Sequence, residues 1–227
     1  GDVDYQLGVV TTAVSSSAQT NGCTAADVAA IPEGGKLVGD SERPIIITPD
    51  TPNGAEIFAQ IVDVGICGTG FEMGLESAYR ALTPPFVSGY NAGFLREEAY
   101  LSVIFISDEQ DASPLGVNEY TNFFRSVKGQ RDRDVYNASA IVVTDIEECS
   151  ASQRQAGAEG TRYVDVARQS GGVIGSICAE DFSSIVTDLS LASSRLTDTF
   201  YLSRLPDVGT MRVFVDDGAC GGDEEDL

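Results

Sequence analysis

Oxygen-bearing side chains cluster where three apolar segments of the sequence end, and these residues are the best placed to do chemistry. Thr11 and Thr12 close the first segment, residues 108–111 (DEQD) follow the second, and residues 145–148 (DIEE) follow the third. If these ends meet at one edge of a sheet, they gather hydroxyls and carboxylates with no Lys or Arg among them. Such hard oxygen ligands favour Mg²⁺, Ca²⁺ or Mn²⁺. The same acids are also consistent with solvated loop ends of an acidic protein.

Asp108 is the strongest candidate ligand, because it directly follows an apolar run that should hold its backbone rigidly. Glu109 and Asp111 lie further out and are better suited to solvation or to capping the following helix. The stretch 68–72 (GTGFE) lies on a loop that enters a helix, where backbone N–H groups and the Thr69 hydroxyl could face the same crevice. A nucleotide-binding interpretation of this stretch is disfavoured, because it lacks the Lys-Ser/Thr of a P-loop and follows no strong strand.

The composition narrows the chemistry further. Thirty-five Asp and Glu oppose 14 Lys and Arg, which gives a formal net charge of −21 and a pI near 4.1. This charge repels nucleic acids and anionic lipid surfaces. The sequence has no His, which removes Ser-His-Asp triads, imidazole bases and His-ligated zinc. A metal-assisted hydrolase or phosphotransferase remains as an enzymatic alternative, but no carboxylate stands out as its base, so we expect a non-enzymatic protein.

The cysteines favour disulfides over a metal or redox motif, because they lie far apart and form no C-x-x-C pair. The five cysteines are Cys23, Cys67, Cys149, Cys178 and Cys220. Four of them can form two disulfides, whose connectivity the spacing leaves open, and the alternative is five buried thiols. No apolar run approaches the ~18 residues that would cross a bilayer. Because the chain begins with Gly1, we interpret it as a mature or trimmed product. Only two of its 14 basic residues are Lys, and from this acidic, Lys-poor composition we expect a protein that is secreted or at the cell surface.

Strand-like and helix-like segments alternate along the chain. Strands are predicted over residues 3–14, 44–48, 99–106, 139–144 and 173–177, and helices over residues 55–64, 68–82, 117–127, 163–169 and 182–196. This alternation predicts an α/β fold, a doubly wound, mostly parallel sheet with helices on both faces. Residues 199–203 and 210–215 are predicted to form a C-terminal β-hairpin. We expect one domain over residues 1–220 and a disordered acidic tail over residues 221–227.

Four segments, in this order and spacing, resemble von Willebrand factor A (vWA) domains of secreted bacterial proteins: residues 3–12 (VDYQLGVVTT), 68–76 (GTGFEMGLE), 103–109 (VIFISDE) and 171–178 (GGVIGSIC). The resemblance implies a Rossmann-like sheet with a metal-ion-dependent adhesion site (MIDAS) at its carboxyl edge. In such a site Asp108 matches the Asp of the third loop, and Thr69 matches the Thr of the second loop with a spacing one residue longer than usual. The resemblance implies that the metal completes its shell with water or a partner's carboxylate, and for the oxygen ligands named above we expect this metal to be Mg²⁺ or Ca²⁺, with Mn²⁺ as a substitute.

The sequence departs from the family in one respect, since it contains no Asp-x-Ser-x-Ser motif. In the family that motif lies on a central strand that precedes the segment matched by residues 3–12. The resemblance therefore implies that an upstream segment or a neighbouring chain completes the sheet. It also implies disulfides between Cys149 and Cys178 and between Cys23 and Cys67, with Cys220 left over.

Two functions are compatible with these features. The first is an extracellular adhesion module whose divalent metal engages a carboxylate of a protein partner. The alternative is a structural subunit of a cell-surface or filamentous assembly, in which the metal site is vestigial. Metal-dependent binding without turnover would favour the first function, whereas a stable oligomer indifferent to chelators would favour the second.

Overall fold

The computed structural model describes residues 4–14, 23–24, 31–97, 99–127 and 136–194. Strands and helices alternate along them, which confirms the predicted α/β class. The elements are α1 (Gly54–Val62), α2 (Gly74–Ala81), β1 (Leu101–Ser107), α3 (Val117–Val127), β2 (Tyr136–Val142), a 3₁₀ turn (Ile146–Glu148), α4 (Ala151–Ala156), α5 (Thr161–Ser170), β3 (Ile174–Ser176) and α6 (Ser183–Ser194).

The three strands form an all-parallel sheet in the order β1-β2-β3. The register places Phe105 of β1 beside Ala140 of β2, and Ala140 beside Ile174 of β3. All seven residues of the central strand β2 are buried, as expected for a parallel strand covered on both faces. The carboxyl ends of β1 and β2 therefore lie next to each other at one edge of the sheet.

An aromatic core packs between one face of the sheet and the helices α2, α3 and α5. The ring of Phe124 on α3 lies 5.6 Å from that of Tyr136 on β2, and the ring of Tyr163 on α5 stacks 5.1 Å from that of Phe105 on β1. Tyr120, Phe124 and Tyr163 are fully buried. Such rings contribute both apolar area and preferred ring geometry, so this face holds most of the described core.

Helix α6 covers the opposite face of the sheet only in part. Ile185 packs over Gly175 of β3, where an added Cβ would come within 2.8 Å of the Ile185 side chain. At its other end, Ser193 contacts Ser102 of β1 through hydroxyl groups 3.1 Å apart. Ile104 and Ile106 of β1 remain exposed on this face.

The predicted strand over residues 3–14 is wrong as a regular strand. Residues 4–14 make one antiparallel bridge, in which the N–H and C=O of Leu7 pair with those of Ile47, and the C=O of Val9 accepts from the N–H of Val38 at 2.8 Å. The predicted strand over residues 44–48 is likewise reduced to that bridge. The reason is a missing ladder: among the described residues, neither segment pairs with β1, so apolar character alone does not organise them into a sheet.

Some element boundaries also differ from the prediction. The helix predicted over residues 68–82 spans only Gly74–Ala81, because the preceding loop is tied elsewhere: the Met73 N–H donates to the Thr12 carbonyl at 3.0 Å. The short helix α4, with its capping box at Ser150 and Gln153, occupies a stretch that was predicted as loop. The predicted C-terminal hairpin, the acidic tail and Cys220 lie outside the described residues.

Asn91 is a buried amide that joins three segments. Its Nδ2 donates to the carbonyl oxygens of Gly35 at 2.7 Å and Ala81 at 3.0 Å, and its Oδ1 accepts from the N–H of Leu37 at 3.1 Å. Asn91→Ala leaves these groups without that partner, so we expect the free energy of unfolding to fall by about 2 kcal/mol in urea denaturation. Asn122→Ala, at an exposed site on α3, is the control and should cost less than about 0.5 kcal/mol. Equal losses in the two variants would contradict this role.

Candidate functional site at the carboxyl edge of the sheet

Asp108 lies directly after the last residue of β1 and its side chain is exposed. Its backbone is held from the side of α5, because its carbonyl oxygen accepts a hydrogen bond from the N–H of Ala158 at 2.8 Å. The next turn is also closed locally, since the Ser107 hydroxyl accepts from the N–H of Glu109 at 3.0 Å. The carboxylate of Asp108 is thus presented to solvent from a fixed backbone.

The loop that carries Thr69 is joined to the loop of Asp108 through Glu72. The Ser107 hydroxyl donates to the Glu72 carboxylate, and the N–H of Ala112 donates to the Glu72 carbonyl at 2.7 Å. Thr69 is buried, and its hydroxyl oxygen accepts from the N–H of Phe71 at 3.1 Å. The structure therefore places the two loops side by side, and no hydrogen bond among the described residues connects Thr69 to Asp108 directly.

Thr11 and Thr12, at the end of the first predicted strand, are joined to the loop that precedes α2 by a backbone hydrogen bond. The Thr12 carbonyl accepts from Met73, as described above, while the Thr11 hydroxyl donates to the Pro32 carbonyl at 2.9 Å. The Thr11 hydroxyl is thus committed to a structural hydrogen bond. Residues 4–14 therefore support the loop that precedes α2 through a backbone hydrogen bond.

The acids that follow β2 serve local structure. The Asp145 carboxylate accepts from the N–H of Glu147 at 2.9 Å and so caps the 3₁₀ turn, and Glu147 forms an ion pair with Arg154 at 3.1 Å. The N–H of Ile146 donates to the carboxylate of Glu159 at 3.3 Å. Asp145 thus caps the 3₁₀ turn and Glu147 is paired with Arg154, two local roles that the sequence did not indicate.

Glu72 and Glu109 lie close enough to Asp108 for its charge to act on both carboxyl groups. Burial, followed by the charges of Asp108 and Asp111, raises the pKa of Glu72 against the opposing hydrogen bond from Ser107. Burial, followed by the charges of Glu72 and Asp108, likewise raises the pKa of Glu109. In the part of the chain that the structure describes, no salt bridge involves Glu72, Asp108 or Glu109. A bound cation would relieve this repulsion.

Asp111 differs from its neighbours, because its side chain is fully buried and fully partnered. Its carboxylate accepts from the N–H of Leu75 at 3.1 Å, in the first turn of α2, and from the Ser113 hydroxyl at 2.7 Å. It also forms an ion pair with Arg162, whose Nε lies 2.9 Å from Oδ2. The expectation that Asp111 is solvated or caps the following helix is wrong: it caps the preceding helix, α2, and ties it to α5.

Arg162 holds this arrangement from the start of α5. Its second guanidinium nitrogen donates to the carbonyl oxygens of Ser113 at 3.1 Å and Leu115 at 2.6 Å. Sequence reasoning missed both Arg162 and Glu72. Arg162 is 51 residues from Asp111, so no local pattern indicates their pairing. The only available signal for Glu72 was its place beside Thr69 in the loop that precedes α2.

The described residues limit what a metal site could contain. Within residues 4–14, 23–24, 31–97, 99–127 and 136–194, no three Asp, Glu, Cys or His side chains are grouped closely enough to hold a metal ion. Asp108 offers one exposed carboxylate, whereas the buried Thr69 hydroxyl accepts from the N–H of Phe71 at 3.1 Å and donates to the Phe71 carbonyl at 3.5 Å. A divalent ion there would draw its other ligands from water, from a partner or from parts of the chain outside the described ranges.

Two disulfides brace the loops at this edge. Cys23 is bonded to Cys67, which precedes the Thr69 loop, with Cα atoms 5.6 Å apart. Cys149 is bonded to Cys178, with Cα atoms 5.0 Å apart, and so joins the turn after β2 to the segment after β3. These are the two pairs that the vWA resemblance implied. Two such bonds in one chain are typical of proteins from an oxidising compartment.

The pKa of Glu72 leads to a testable pH dependence. Because this pKa is higher in the folded chain than in the unfolded chain, ionised Glu72 costs stability above its folded pKa and costs nothing once both states are protonated. We therefore expect Glu72→Gln to raise the free energy of unfolding at neutral pH, with a gain that vanishes well below pH 4.5, the ordinary value. Urea denaturation across this range checks it, with Glu56→Gln on the exposed side of α1 as control. A gain that shrinks as the pH rises would contradict the assignment.

None of the helices in the described part of the chain has the length and apolar character that a membrane span requires. Comparison with protein-family models, with curated proteins and with solved structures finds no match for this chain.

Proposed function

We propose that this chain is a non-enzymatic, vWA-like adhesion module of a secreted or cell-surface bacterial protein. It binds a protein partner by means of a divalent metal at the carboxyl edge of its sheet. The observation that supports this most is the exposed carboxylate of Asp108, held on a fixed backbone near Glu72 and Glu109, neither of which forms a salt bridge among the described residues. The two disulfides are in keeping with an extracellular or periplasmic location.

In this proposal Asp108 and the Thr69 hydroxyl bind Mg²⁺ or Ca²⁺, with Mn²⁺ as a substitute. Water fills most of the other coordination positions, and one of them is reserved for a carboxylate of the partner. Glu72, which lies between the two loops, adds negative charge that attracts the ion and sets the loop spacing through Ser107. The positive ion makes it possible for an acidic partner to approach a chain whose net charge is −21.

The proposal includes completion of the sheet by an upstream segment or a neighbouring chain. Its support is the edge of β1: among the described residues, β1 pairs only with β2, and residues 4–14 use their backbone groups elsewhere. An unpaired parallel edge offers N–H and C=O groups to an added strand. In the vWA family such a strand would also carry the absent Asp-x-Ser-x-Ser ligands.

The same open edge supports a second candidate function. In a structural subunit of a cell-surface or filamentous assembly, strands exchanged between copies would fill the edge of β1, and the metal site would be vestigial. That function predicts an oligomer that persists when divalent ions are removed. An assembly that requires divalent ions would instead favour the adhesion module.

Acetate is a minimal probe of the proposed partner chemistry. Protein-bound Mn²⁺ relaxes the methyl protons of an acetate ion whose carboxylate coordinates it, and the slow tumbling of the protein strengthens this relaxation. We expect the acetate methyl signal to broaden more with Mn²⁺ and the chain than with Mn²⁺ alone. Asp108→Ala should remove the excess broadening, and Asp50→Ala, at an exposed acid before α1, should keep it. Equal broadening by the chain and by Asp108→Ala would reject the proposed site.

A further inference from the structure

The face of β1 that looks toward α6 is open over its carboxyl half. Ile104 and Ile106 are 43% and 61% exposed, although their register partners on β2, Ser139 and Ile141, are buried. Strand residues two apart share a face, so these two side chains form one apolar strip with Ser102 at its amino end. We name Ile104 and Ile106 the open strip of β1.

The end of α6 fixes where the chain leaves this face. The Ser193 hydroxyl lies 3.1 Å from that of Ser102, and the Ala192 carbonyl accepts from Nδ2 of Asn137 at 3.2 Å. Asn137 is the register partner of Ser102, so both contacts lie at the amino end of the sheet. The described part of α6 therefore ends on the same face as the open strip, beside its amino end.

The sequence after this point has the length and pattern to cover the strip. Residues 199–203 (TFYLS) and 210–215 (TMRVFV) are two apolar runs separated by a turn-like stretch with Pro206 and Gly209. The path from Ser102 to Ile106 is about 13 Å at ~3.3 Å per residue, so a run of this length reaches along it after a short connection.

Charge favours this segment over a second copy of the chain. Residues 195–215 carry three Arg and two Asp, while the whole chain has a net charge of −21. Two copies would bring large like charges together, whereas this segment brings a small positive charge to an acidic surface. We propose that residues 199–215 fold back over the open strip of β1 and bury Ile104 and Ile106, with residues 195–198 as the connection.

Thiol labelling of the full chain tests this proposal. Ile104→Cys is compared with Val62→Cys on α1, because both wild-type side chains are 43% exposed. Peptide mass spectrometry separates these thiols from Cys220. We expect the thiol at position 104 to react with a maleimide roughly tenfold more slowly than the one at position 62, since it becomes accessible only by local opening.

A second variant shows which segment provides the protection. Phe200→Asp combined with Phe214→Asp, in the Ile104→Cys background, should raise the labelling rate to that of Val62→Cys, while slow amide exchange in β2 verifies that the sheet is folded. Equal rates at positions 104 and 62 in the full chain would overturn the proposal. Protection that survives both Asp substitutions would overturn it as well, and protection lost on dilution would assign the cover to a second copy instead.

Discussion

Replacing Arg162 with Met is expected to lower the free energy of unfolding by about 3–5 kcal/mol, because it leaves a buried carboxylate without its cation. The Asp111 side chain has no exposed area, and that of Arg162 is 27% exposed. The guanidinium also donates to the carbonyl oxygens of Ser113 and Leu115, which lose their partner in the variant. The Met side chain keeps the apolar stem, so the loss reports on charge and hydrogen bonding.

Arg168→Met on the same helix is the matched control. Arg168 and Asp165 form an exposed pair 3.9 Å apart, and such pairs contribute less than about 1 kcal/mol. Chemical denaturation should therefore separate the two variants clearly. Adding Asp111→Asn to Arg162→Met should recover part of the loss, because the uncompensated charge is removed. A loss in Arg162→Met no larger than that in Arg168→Met would contradict the role of this ion pair.

Removing the Cys149–Cys178 disulfide by a double substitution to Ser should cost about 3.5 kcal/mol of unfolding free energy. The bond closes a loop with a sequence separation of 29, and the estimate follows from the lost constraint on the unfolded chain. Because the bond joins the segments that follow β2 and β3, we expect the amides of the 3₁₀ turn to exchange faster while those of β2 remain slow.

The wild-type chain in a reducing buffer is the control for this variant. Reduction breaks both bonds and should cost more than the double substitution, since the Cys23–Cys67 bond closes a loop with a larger separation of 44. The double variant should then lose stability a second time when it is reduced. If reduction leaves the wild-type stability unchanged, the disulfides do not stabilise the fold.

The sequence could predict those elements whose signal is local. The helix predicted over residues 117–127 is confirmed at both ends. At its start, the carboxylate of Glu119 accepts a hydrogen bond from the N–H of Gly116 at 2.7 Å. The strands β1 and β2 were recognisable as apolar runs that end in acids. Residues 4–14 look just as strand-like, but a strand also needs a ladder partner, and sequence pattern does not reveal whether one is present.

In the candidate site, too, residues with a local sequence signal were predicted and residues that depend on distant partners were not. Asp108 and Thr69 were identified from their position after a strand and before a helix, and the structure places their loops next to each other. Asp111 was misassigned, because its partners Leu75 and Arg162 lie 36 and 51 residues away in the sequence. Only packing brings α2 and α5 to the same loop, so burial turns an acid expected at the surface into a structural anchor.

The most direct test of the proposed function is a calorimetric titration of the chain with Mn²⁺ or Mg²⁺, beside Asp108→Ala and Asp50→Ala. The adhesion-module proposal predicts saturable binding of one ion by the wild-type chain and by Asp50→Ala, and its loss in Asp108→Ala. No binding by a folded chain, or equal binding by Asp108→Ala, would contradict it and leave the structural-subunit function as the better explanation.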